Sequence, residues 1–160
     1  MVNKKAQAWG FDLMIASVIF TGAIVTFFIF SLNTPSESNE IILSLERQGD
    51  LVANSLLSEG YPPNWNSQDV AVIGLLTDNK INESKLSSFY DLSISNYQKT
   101  KSLFGISSNY LINLSEPIEI NYNVIAGIGE TPENPENLLK ISRITIYKNK
   151  PVTLEIQIWE

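Results

Sequence analysis

The 160-residue chain contains neither cysteine nor histidine. That double absence removes disulfide staples, thiol nucleophiles, imidazole bases and the commonest transition-metal ligands together. A serine nucleophile would have to borrow a Lys or a carboxylate as its base, and neither G-x-S-x-G nor S-x-x-K occurs, nor a phosphate-cradling glycine loop. The expectation is therefore a chain that is not an enzyme and carries no cofactor. Basic residues are sparse as well, 11 against 17 acidic ones and never clustered, which argues against a nucleic-acid surface. Glu133 and Glu136 stand close together, but no alternating Asp/Asn/Gly loop surrounds them, so a solvated loop and no bound metal is expected there.

What the chain does have is one long apolar run. Residues 13–32 are mostly apolar, and at about 1.5 Å per residue they span roughly 30 Å as a helix, the thickness of a bilayer's hydrocarbon core. Lys4 and Lys5 precede the run, while the first basic residue after it is Arg47, behind Glu37 and Glu40. Basic residues favour the cytoplasmic side, so the N-terminus is expected inside a cell membrane and the remainder outside, crossing once. Setting Lys4, Lys5 and Asp12 aside leaves a net charge of −7 beyond the run. About 125 residues follow, enough for one domain with one core. With no disulfides that domain relies on its apolar residues, 44% of the chain.

A secretory signal places a small-residue cleavage site after an apolar stretch of about 7–15 residues. Here the run is longer, and the small residue Ala6 comes before it. The motif Lys5-Ala6-Gln7-Ala8 resembles the class III (type IV prepilin) signal of archaea, in which a basic and a small residue precede the scissile bond and the apolar helix follows. The resemblance implies residues 1–6 as a leader, cleavage between Ala6 and Gln7 by a prepilin peptidase, and residues 7–33 as a helix held first in the membrane and then in a filament core. The implied partners are copies of this chain or related pilins and a pilus assembly platform. A glutamate usually stands fifth in the mature chain of such pilins; here the fifth position is Phe11 and the sixth is Asp12. Asp12 is thus either a subunit-assembly acid or an interfacial residue that satisfies first-turn amides.

Residues 34–59 read as a helical stalk packing on the head, with Thr34 as N-cap, Pro35 at the first helical position and Glu37 completing a capping box. A kink near Pro35 would join it to the membrane helix. Its apolar residues Ile41, Ile42, Leu45, Val52, Leu56 and Leu57 approximate helical spacing. Residues 60–160 read as an α+β head. Residues 70–76 suggest a buried strand and Trp65 a core filler; Asn82 caps a helix carrying Leu86, Phe89 and Tyr90, and a second helix over 93–104 closes at Gly105. Strands follow at 110–114 and, alternating, at 118–124, then a surface loop over 127–137. Leu139 and Ile141 share one parity and Ile144 and Ile146 the other, which suggests a bulge near Ser142 and Arg143. A turn at residues 148–151 leads to a last strand of strict alternation. The expected head is an antiparallel β-sheet with a helical insert and helices on one side.

Two sequons, at Asn82 and Asn113, are candidate N-glycosylation sites if that head lies outside the membrane. The leading expectation is a structural pilin, major or minor, in a surface filament. The alternative from another class is a signal-anchored extracellular binding domain that does not polymerise.

Overall fold

The computed structural model describes residues 4–33, 37–120 and 123–160, with the backbone alone at residues 4–9, 33, 37 and 38. The expected capping box and kink at Thr34 and Pro35 lie outside the described residues, as do Asn121 and Tyr122 of the expected strand 118–124. The chain divides into two units at the boundary between Glu37 and Ser38.

The first unit is one helix, α1 (Lys4–Asn33). Its stretch Gly10–Leu32 has a mean hydropathy of 2.5 and meets the length and composition of a membrane span. An N-terminal helix of this kind serves as a membrane anchor or a signal sequence.

The second unit begins on α2 (Glu37–Leu56), whose Leu45, Val52, Ala53 and Leu56 are fully buried. Gly49 lets α2 lie directly on the sheet, since a Cβ there would come within 2.4 Å of Ile141 Cδ1 and 3.4 Å of Ile158 Cγ2. The helix ends where the chain 72–76 comes alongside. Leu75 N donates to Leu56 O and Leu76 N to Ser58 O, both at 2.9 Å, so the last carbonyl of α2 and that of Ser58 just beyond it find donors that the helix itself cannot supply.

Residues 70–76 are consequently not the strand their apolar run suggests. Val70, Ile73 and Leu75 are buried, but the segment bonds to the end of α2 and, through the single bridge Tyr61↔Val72, to the preceding loop. Gly60 and Gly74 meet at this crossing, where a Cβ on Gly74 would lie 2.2 Å from Gly60 N. Trp65, 3% exposed, fills the space behind and donates Nε1–H to Gly74 O at 2.8 Å.

A short hairpin follows: β1 (Leu76–Thr77) and β2 (Lys80–Ile81). Asp78 and Asn79 both have positive φ, as a two-residue turn requires. Next come α3 (Glu83–Ser95) and α4 (Tyr97–Phe104). Asn82 caps α3, Asn96 caps α4, and Gly105 at φ +72° closes α4.

The strands are β3 (Asn109–Leu114), β4 (Ile118–Ile120), β5 (Asn123–Ile125), β6 (Ile128–Gly129), β7 (Leu138–Tyr147) and β8 (Lys150–Trp159). The main sheet has the order β6-β3-β8-β7, with every pair antiparallel. Its inner face presents Tyr110, Ile112, Ile141, Ile156 and Ile158 to the helices.

Three sequence expectations change in this region. The single strand over 118–124 is instead two strands, β4 and β5, paired with each other. The loop over 127–137 contains β6, whose Ile128 is 1% exposed. The bulge is absent: β7 and β8 pair without interruption from Leu138↔Trp159 to Tyr147↔Lys150. The apparent change of parity arises because Ile144, 80% exposed, and Ile146 lie on the outer face, while Thr145 and Tyr147 fill the inner one.

Candidate functional site

The sequence places its functional signal at the start of α1. The backbone is helical through Lys5, Ala6 and Gln7 and onward through Asp12. Because α1 begins at Lys4, Asp12 is its ninth residue, beyond the first turn, so the reading of Asp12 as a cap for first-turn amides does not hold for the intact helix. Asp12 is exposed and forms no ion pair among the described residues.

No side chain in the span Gly10–Leu32 is buried in its own unit; Phe20 is 66% exposed and Phe30 73%. A helix this apolar, this long and this uncovered needs lipid or other helices around it. Its polar groups are already suited to that setting. Thr21 Oγ1 donates to Ser17 O at 2.8 Å and Thr26 Oγ1 to Gly22 O at 2.9 Å, so neither hydroxyl needs water. Ser17, Thr21, Gly22 and Thr26 border one shallow groove along the helix, where a neighbouring helix can approach closely.

Comparison with family models, with curated proteins and with solved structures gives no match.

The two sequons sit in different settings. Asn82 is half-buried at the N-cap of α3: its Oδ1 accepts from Ser84 N (2.9 Å) and Lys85 N (3.2 Å), and Nδ2 donates to Thr77 Oγ1 (3.2 Å), leaving one amide proton unused. Asn113 lies within β3 with its side-chain amide facing Ala126 O (3.1 Å) and Ile112 O (3.0 Å), and the orientation that satisfies both carbonyls places its nitrogen toward them. In that orientation both of its protons are engaged.

Sequence reasoning missed two buried polar features. Lys85 is 4% exposed, and its Nζ donates to Glu59 O (2.8 Å) and Leu76 O (2.7 Å), tying α3 to the chain that leaves α2. Nothing in the local pattern distinguishes it from a solvent-facing lysine, since its acceptors are backbone carbonyls distant in sequence. Replacing Lys85 with Met should leave both carbonyls without a donor and lower stability by about 2–3 kcal/mol, measurable by urea unfolding.

The other feature joins Tyr97, Thr100 and Tyr110. Tyr110, fully buried, packs its ring against Phe89, Tyr97 and Phe104. The Tyr97 hydroxyl accepts from Tyr110 N (2.8 Å) and donates to Tyr110 O (3.2 Å). Thr100 Oγ1 donates to Tyr97 O at 2.6 Å and is in turn hydrogen-bonded to the Tyr110 hydroxyl. Burial pushes the Tyr110 phenol up to about 12, against the opposing hydrogen bonds of Thr100 and Ser93, and raises Tyr97 further. A folded-state value above the unfolded one means stability that is whole below pH 10 and lost as the pH rises toward 12. Tyr110 alone should account for about 3 kcal/mol of that loss. Tyrosinate absorbance should show both phenols ionising only as the unit unfolds.

These groups hold the second unit together. Among the described residues no three His, Cys, Asp or Glu side chains are grouped to hold a metal ion. The small hollow of about 240 Å³ between β4 and the β7–β8 turn is spanned by the Lys148–Glu119 ion pair at 2.6 Å.

Proposed function

We propose that this chain is a type IV pilin-like structural subunit, major or minor, of an archaeal surface filament. In this reading a prepilin peptidase cuts between Ala6 and Gln7, and α1 holds the mature chain in the membrane. An assembly platform then moves α1 into a bundle of the same helices from neighbouring copies. One observation carries the reading: the apolar span Gly10–Leu32 of α1, of membrane length and with no side chain buried in its own unit, follows closely behind Lys5-Ala6-Gln7. Apolar surface on α1 stays out of water in lipid and in a helix bundle alike, so exchanging one for the other costs little hydrophobic free energy. Asp12, the sixth residue of the mature chain, supplies a polar contact near the cytoplasmic edge, where the free amine of a neighbouring Gln7 is its natural partner. The acidic second unit faces outward, and of the two sequons Asn82 is the one we assign to glycosylation.

A binding domain anchored by an uncut signal would use the same helix but would be indifferent to residue 6. Replacing Ala6 with Asp in cells with an active prepilin peptidase should leave the chain full-length, membrane-bound and absent from sheared filaments. Unchanged processing and an unchanged yield of filaments would contradict the proposal.

A further inference from the structure

Nine cations follow the apolar run. Seven of them are engaged. Lys80, Lys85, Lys99 and Lys101 donate to uncharged oxygens, and Lys140, Arg143 and Lys148 pair with acids. Among the described residues Arg47 and Lys150 make no such bond. Arg47 differs from Lys150 in its setting. It is exposed on the outer side of α2, and one turn away in either direction lie Leu43, 62% exposed, and Leu51, 45% exposed. Shallow grooves flank it on both sides. An unpaired guanidinium between two uncovered leucines has the make-up of a protein contact: apolar area to bury, and a fork of donors seeking a carboxylate.

The chain also carries the complement. Residues 130–136 include Glu130, Glu133 and Glu136, with no base among them and with Pro132 and Pro135 restricting the backbone. All three glutamates are exposed and form no ion pair among the described residues. A lipid surface is the poorer occupant for the α2 stripe. Arg47 is the one cation on α2, beside Glu40, Glu46 and Asp50, whereas helices that lie on anionic membranes need several.

We propose that the Leu43–Arg47–Leu51 stripe of α2 binds the acidic loop 130–136 of a second copy of this chain. The stripe and the loop are different patches of one molecule, so the contact can repeat from copy to copy. The proposal rests on the filament reading in taking a second copy as the partner.

The absence of native cysteine makes the test direct. Chains carrying Leu43→Cys and chains carrying Glu133→Cys, separately tagged, are expressed together and oxidised in intact cells. The proposal expects a mixed disulfide between the two variants. Arg47→Glu should lower its yield at least about tenfold, because like charges then meet. Adding Glu133→Arg to the other chain, the one that supplies the loop, with its cysteine moved to Glu136→Cys, should restore it. Filaments that assemble from cleaved chains without the mixed product overturn the proposal. So does a mixed product indifferent to Arg47→Glu, and so does an Arg47→Glu effect that follows the anionic lipid content of vesicles with no cross-link between copies. A mixed product formed by uncleaved chains in cells without filaments supports the contact while contradicting the filament reading.

Discussion

Placing aspartates at both Ile19 and Ile24 should release the chain from the membrane. The Leu, Ile, Val and Phe residues of Gly10–Leu32 number thirteen, and at roughly 0.3–0.6 kcal/mol each they supply roughly 4–8 kcal/mol toward insertion. Each Ile→Asp exchange near the helix centre removes one such contribution and adds roughly 3 kcal/mol of cost, so two together cost roughly 7 kcal/mol and match the whole gain. One exchange alone should leave most chains inserted. Carbonate extraction of membranes from cells expressing each variant distinguishes these outcomes; a double variant that stays in the pellet would mean that α1 is held by something other than its own apolar surface.

The largest loss in the second unit should follow Phe89→Ala. Phe89 is fully buried on α3, with its ring centroid 5.8 Å from that of Phe104 on α4 and 6.4 Å from that of Tyr110 on β3. Truncation opens a cavity where two helices and the sheet meet, and costs about 3–5 kcal/mol. Against a total stability of about 5–15 kcal/mol, that loss leaves the unit marginal. Phe89→Leu keeps most of the volume and should cost about half as much or less. Urea unfolding followed by the fluorescence of Trp65 and Trp159, both buried, reads the difference.

Elements whose hydrogen bonds are local, or whose alternation is strict, were legible from residues alone. The caps at Asn82 and Gly105, the turn residues 78–79 and 148–149, and strand β8 all lie where their types suggest. Errors arose where distant chain decides. Residues 70–76 are apolar enough for a sheet, yet their backbone donors go to Asn66 O and Tyr61 O in the preceding loop, to Leu56 O at the end of α2 and to Ser58 O just beyond it. Ile144 and Ile146 imitate a bulge because apolar side chains occupy the outer face of an edge strand. Ile128 belongs to the sheet through pairing with Ile112, a partner that a proline-bearing stretch gives no reason to expect. At the N-terminus the apolar run, its length and the order of Lys5, Ala6 and Gln7 ahead of it were all legible. Arg47 was visible only as the first cation after the run; its isolation between exposed leucines emerges once α2 is laid on the sheet.

Whether the chain is cut between Ala6 and Gln7 is measured directly by the N-terminal sequence of the protein purified from membranes and from sheared filaments. The filament proposal predicts a mature chain beginning at Gln7 in both fractions. A chain beginning at Met1, in cells whose prepilin peptidase is active, would contradict it.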